Sequence, residues 1–208
     1  MIRSQPLQQR FMWWALFIGA LLPALYYWSA FYCDPRRLGI DALEVVLGEM
    51  GRWALWMLLI TLSCSTLKRR AGFKQAIRYR RMLGLFAFFY ATLHLLTYVI
   101  GWIELDGAQF IDDLLRRPFI YLGMIAWLCL LALAVTSPKL MVRKLKRNWA
   151  RLHKLVYLIL LLVLIHFWMQ VRVSSMEAWL YTAIALLLMA DRVVAGKKRV
   201  PSNKLVTR

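Results

Sequence analysis

Residues 82–103 read MLGLFAFFYATLHLLTYVIGWI. The stretch has no Asp, Glu, Lys or Arg, and a helix needs roughly 17–25 predominantly apolar residues to cross the hydrocarbon of a bilayer. Its one histidine, His94, is the exception that matters. A neutral imidazole in hydrocarbon is costly unless something engages it, so an intramembrane histidine marks a candidate functional site. Working outward, five more stretches are long and apolar enough: Phe11 to Tyr32, Trp53 to Leu67, Pro118 to Thr136, Leu155 to Val171 and Ala178 to Val194. The pattern predicts an all-α fold, a polytopic membrane bundle of six transmembrane helices. Residues 1–208 form one membrane domain, because the loops are too short to hold a nucleotide-binding fold.

Composition agrees. The chain is 62% hydrophobic yet carries a formal net charge of +18. A soluble domain of this size is less apolar, and a nucleic-acid binder does not set its charges between long apolar runs, so no nucleic-acid partner is expected. The first apolar run follows Arg3 and Arg10 as a signal peptide would. It is longer than the usual h-region and lacks an A-x-A-like cleavage site, which makes it a retained helix with a kink expected at Pro23. Cys33, Cys64 and Cys129 show no paired spacing, which leaves neither a disulfide framework nor a C-x-x-C site.

The basic residues fall mainly on one side of the spans. Arg3 and Arg10, the run Lys68 to Arg81, the run Lys139 to Lys154 and the tail from Arg192 to Arg208 share that side. The positive-inside rule places it, with both termini, in the cytoplasm, where anionic lipid headgroups are sufficient partners. Nearly all the carboxylates fall on the other side, from Asp34 and Asp41 through Asp112, Asp113 and Glu177, and only Asp191 falls among the basic loops. Leu140, Leu145, Trp149 and Leu152 recur near helical spacing among lysines and arginines, which predicts a short interfacial helix over Lys139 to His153.

The chain has three histidines. Spans three and five run in the same direction, so depths along them compare directly. His94 follows Met82 by twelve residues and His166 follows Leu155 by eleven. Each imidazole then lies roughly 16–18 Å from the inner boundary, at matched depth. Two imidazoles facing each other across a bundle can hold a haem iron from both sides. Zinc fits less well, because no Cys, Asp or Glu accompanies them, and the lack of C-x-x-C-H excludes covalent c-type attachment. Phe86, Phe88, Phe89, Tyr90, Tyr98, Phe167 and Trp168 are candidates to wall the slot. His153 lies at the inner boundary, where the corresponding positions on span three are Arg80 and Arg81. With Arg78 they form a set suited to carboxylates or phosphates, such as haem propionates, a flavin phosphate, or a second haem with an unusual other ligand. A plain interfacial histidine is the alternative. Metal-ligand candidates are therefore His94 and His166, with His153 as a third, and cofactor-binding candidates add Arg78, Arg80 and Arg81.

The stretches Arg80-Arg-Met-Leu-Gly-Leu, Ala91-Thr-Leu-His-Leu, Arg116-Arg-Pro-Phe-Ile, Leu133-Ala-Val-Thr-Ser and Trp149-Ala-Arg-Leu-His-Lys-Leu-Val-Tyr resemble, in order and spacing, the MsrQ (YedZ) family. These are haem-binding membrane subunits of bacterial methionine-sulfoxide reductase systems, within the ferric-reductase-like transmembrane group. The resemblance runs from about residue 51 through the sixth span, giving a core of about 51–194 and a basic cytoplasmic tail at 195–208. It implies an inner-membrane cytochrome b that binds haem b and FMN. Electrons would come from the quinone pool or a cytosolic flavin reductase and pass to MsrP, a periplasmic molybdopterin enzyme, in a heterodimer that repairs oxidised periplasmic proteins. By position His94 and His166 match the family's haem histidines and His153 its third. The NAD(P)H and flavin domains of the wider group are absent, so the chain is an electron-transfer subunit rather than the catalytic one. A free-standing ferric or quinone reductase is the alternative. A haem-free transporter is a third class, disfavoured because no two halves of the chain resemble each other.

Overall fold

The computed structural model describes residues 7–170 and 176–197, and every regular element among them is helical. In chain order these are α1 (Leu7–Cys33), a 3₁₀ turn (Pro35–Leu38), α2 (Ala42–Arg70), α3 (Ala76–Leu96), a π-helical segment (Thr97–Trp102), α4 (Gly107–Arg116), α5 (Pro118–Val135), α6 (Lys139–Leu145), α7 (Arg147–Leu152), α8 (Leu155–Gln170) and α9 (Met176–Lys197). Six helical stretches are long and apolar enough to cross a membrane. The outermost residues of both termini and positions 171–175, including Arg172 and the end of the fifth predicted span, lie outside the described residues.

The bundle is built on two antiparallel hairpins, α2 with α3 and α5 with α8. The first supplies most of the core through Val46, Met50, Leu55, Leu59, Leu62, Phe86 and Tyr90, with α1 and α9 packed against it. Large apolar side chains such as Phe11, Leu25, Leu128, Leu161 and Leu187 face outward. Lipid tails are as apolar as these side chains, so the outer surface needs no cover.

One span boundary and the interfacial segment differ from expectation. The second span, expected from Trp53, belongs to a helix that starts at Ala42, capped by the Asp41 carboxylate accepting from the Glu44 amide at 2.9 Å. Hydropathy hides this extension because Glu44, Glu49 and Arg52 lie in it, and Glu49 pairs with Arg52 one turn on. The predicted interfacial helix over Lys139 to His153 is two helices, α6 and α7, broken at Lys146, whose φ of 46° no right-handed helix tolerates. Helix α4 has no counterpart in the hydropathy pattern, being short and rich in polar residues.

Two contacts fix the flanking helices. Pro23 lies inside α1, where it lacks an amide proton. Close by, the Tyr90 hydroxyl of α3 donates to Ala20 O at 2.7 Å and accepts from Ala24 N at 3.2 Å, standing in the helix's own ladder. At the basic end, Asp191 of α9 accepts from Thr66 Oγ1 at 2.9 Å and Arg70 Nε at 2.7 Å, and also pairs with Arg69. The lone carboxylate among the basic loops thus joins α9 to α2.

Candidate functional site

His94 projects from α3 and His166 from α8, and their ring centroids lie 6.2 Å apart with planes at 89°. Each ring is held by the helix that pairs with its own. His94 Nδ1 is 2.8 Å from Leu47 O on α2, and His166 Nδ1 is 2.6 Å from Phe119 O on α5. A carbonyl only accepts, so Nδ1 carries the proton in both rings and Nε2 keeps its lone pair. A hydrogen bond at one nitrogen orients the imidazole and raises its basicity at the other, which is the common arrangement of metal-binding histidines.

Glycine makes these close approaches possible. A Cβ at Gly51 of α2 would lie 3.1 Å from His94 Nδ1, and one at Gly123 of α5 would lie 3.0 Å from His166 Nδ1. Each glycine sits one turn beyond the accepting carbonyl, Leu47 or Phe119, so its bare backbone opens the path to that oxygen. In both hairpins the histidine follows its acceptor by 47 residues. The second set, Phe119, Gly123 and His166, stands 72 residues beyond the first, Leu47, Gly51 and His94. The halves do correspond, then, in geometry rather than in sequence. Both run in the same direction, unlike the inverted repeats of many transporters.

The donor set fits an iron held between two imidazoles. With Nδ1 of each ring bonded to a helix carbonyl and the ring centroids 6.2 Å apart, the two Nε2 atoms are the groups that would hold such an iron. A caged metal ion is not indicated, because no group of three or more His, Cys, Asp or Glu side chains gathers among the described residues.

Phe119, not a member of the expected aromatic set, stands by His166 at 6.2 Å. Among the expected residues, Phe86 contacts Phe17, Phe88 contacts Trp127, Tyr90 contacts α1 and Trp53, and Phe167 contacts Tyr181. Tyr98 donates to the buried Asp113 of α4 at 2.6 Å, and Trp168 donates to Thr182 at 2.9 Å. Hydrophobic neighbours in sequence fan out around a helix, so only some can face the histidine.

His153 occupies a separate place at the basic end. The Trp149 ring lies 4.1 Å from it, tilted by 30°, and Thr136 Oγ1 is 3.4 Å from its Nε2. Trp149 Nε1 in turn donates to Thr136 O at 3.0 Å. Of the three arginines expected around it, Arg80 is half-buried and close enough to act on His153 through its charge, while Arg78 and Arg81 are exposed. Position 81 is the repeat counterpart of 153, so the second hairpin carries a histidine where the first carries an arginine.

The leucine and phenylalanine carbonyls and the two glycines escaped sequence inspection, and the only signal for them was the equal spacing. Residues 50–164 match the family described as the ferric reductase like transmembrane component. The protein-methionine-sulfoxide reductase heme-binding subunit MsrQ of Xanthomonas campestris pv. campestris (strain 8004) is 43% identical over 169 residues, which is 80% of this chain and 77% of that protein. Its counterpart in Pectobacterium carotovorum subsp. carotovorum (strain PC1) is 40% identical over 178 residues, covering 85% and 88%. The chain belongs to the MsrQ family of the ferric-reductase-like transmembrane proteins.

Proposed function

We propose that this chain is the haem-binding membrane subunit of a methionine-sulfoxide reductase system, with His94 and His166 as the axial ligands of one b-type haem. The observation that carries this is the pair of imidazoles 6.2 Å apart, each fixed at Nδ1 by a helix carbonyl. Bound there, the haem supplies a one-electron carrier. The protein supplies ligation, burial and orientation, and α3 and α8 hold the ligands at one depth.

In this reading residues 1–208 form one domain in the bacterial inner membrane, with the basic loops in the cytoplasm. Electrons enter from the quinone pool or a cytosolic flavin reductase at the basic end. They leave on the acidic side to a periplasmic molybdopterin subunit, MsrP-like, which reduces methionine sulfoxide in proteins. His153 and Arg80 lie where an inner cofactor would meet the chain, and FMN is the candidate the family resemblance supplies. In this reading the chain is the electron-transfer subunit of a pair, and sulfoxide reduction belongs to its partner.

Purified full-length protein from haem-replete cells is expected to show the absorption of a low-spin haem, and H94A or H166A to lose it. Unchanged spectra in both variants would end the ligand assignment. Reduction of a purified periplasmic catalytic subunit by the prereduced chain then separates a conduit from a free-standing reductase.

A further inference from the structure

Charged side chains within a membrane span are rare and costly. Yet the turn of α2 that holds His94 also carries a carboxylate and a guanidinium. Glu49 and Arg52 form an ion pair, with side chains 17% and 35% exposed. They interleave with the two elements of the histidine's cradle, Leu47 and Gly51. One guanidinium nitrogen lies 3.9 Å from where a Cβ of Gly48 would be, so the Arg52 side chain runs back along the same turn. Tyr27 of α1 is near enough to Glu49, and Glu177 and Tyr181 of α9 to Arg52, for their charges and dipoles to act on the pair.

The repeat shows that the hairpin does not need these charges. Tyr121 and Met124 are the counterparts of Glu49 and Arg52 in α5, and His166 is held there as closely as His94 is in the first hairpin. The pair is therefore an addition on one side of an otherwise two-fold arrangement. A charge in a low-dielectric region acts over a longer range than in water. A haem iron that goes from ferric to ferrous gains one electron, and with no bond made or broken its energy responds directly to nearby charge.

Resting on the haem reading above, we propose that Arg52 and Glu49 together set the reduction potential of the haem held by His94 and His166. Arg52 favours the reduced form and Glu49 opposes it. Both are positioning residues of the field and neither is a ligand.

Optical redox titration of the haem-loaded full chain in detergent tests this. R52Q is expected to shift the midpoint to more negative values and E49Q to more positive ones. R52K, which keeps the charge, should stay near wild type, and R52Q/E49Q should fall between the single variants. A clasp that merely joins α1, α2 and α9 would lower thermal stability without shifts of opposite sign. If R52Q binds no haem, the potentials of E49Q and R52K decide alone. Haem-loaded variants that all titrate with the wild type, or shift in one direction, would overturn the proposal. Wild-type protein without a haem spectrum would instead overturn the function on which it rests.

Discussion

The two hairpins, α2–α3 and α5–α8, place their histidines alike and differ in almost everything else. Each offers a helix carbonyl, a glycine one turn on and an imidazole 43 residues after that glycine. Around this shared device the first hairpin is packed between α1 and α9 and contributes most of the buried core, while the second presents Leu128, Leu158, Leu161 and Ile165 outward. At the basic end Cys64 and Arg81 stand where the second hairpin has Thr136 and His153. Holding a histidine in this way takes three positions per hairpin, and the remaining positions are free to serve lipid or a neighbouring helix.

The device breaks most readily at its glycines. Valine at Gly51 or Gly123 puts a branched side chain where even a Cβ sits 3.0–3.1 Å from the ring, and the ring is packed side chain held against helix backbone. Both G51V and G123V are expected to lose most low-spin haem, as a histidine replacement does, with the Nδ1 bond to the carbonyl broken in each. G19A serves as the control, since nothing lies within 4 Å of a Cβ at that position. If G51V and G123V retained the wild-type spectrum, the glycines would have no part in placing the ligands, and the equivalence of the hairpins would reduce to a coincidence of spacing.

Packing differences are sharpened by Y90F. Tyr90 is fully buried and its hydroxyl serves both Ala20 O and Ala24 N beside Pro23. Phenylalanine removes both bonds from a buried site, and because Ala24 N–H and Ala20 O can then pair within the helix the cost is that of an ordinary hydrogen bond, about 1 kcal/mol. The position equivalent to Tyr90 in the second hairpin is Leu162, which has no hydroxyl to lose. Thermal unfolding in detergent should therefore fall clearly for Y90F and little for L162A, whose side chain is only partly buried. An equal loss in the two would show that α1 contributes no special support to the first hairpin.

How much of this is legible in the sequence depends on where the information resides. Hydropathy alone locates the spans, since the bilayer acts on side-chain polarity, and the depth match of His94 and His166 follows from counting residues along two parallel helices. The beginning of α2 is not legible in that way. Glu49 and Arg52 satisfy each other within one turn, and a hydropathy window registers two charges rather than one pair. Leu47 O and Phe119 O are invisible for a different reason: every residue has a carbonyl, and only the packing selects the one that an imidazole reaches. Gly51 and Gly123 carry meaning only once that contact is known. Helix α4 starts after Glu104 and Leu105, both at positive φ, a turn that neither residue type announces.

The smallest expected effect concerns how the hairpins are joined. Trp127 Nε1 of α5 donates to Thr92 Oγ1 of α3 at 3.1 Å, and that hydroxyl donates on to Phe88 O at 2.9 Å. This bond crosses between the hairpins only two residues before His94. Interhelical hydrogen bonds in membranes average about 0.6 kcal/mol, because the separated helices find other partners. T92V keeps the shape and removes the bond, so a decrease of that order is expected. In the proposed haem-bound form two imidazoles on one iron would also join the hairpins, through α3 and α8, and a second tie between the same bodies adds less once the first is made. The cost of T92V should accordingly be measurable by thermal unfolding in haem-free H166A protein and shrink in haem-loaded protein. A T92V penalty of the same size in both forms would mean that ligation leaves the packing of the hairpins unchanged, and that their agreement in depth is set by the helices alone.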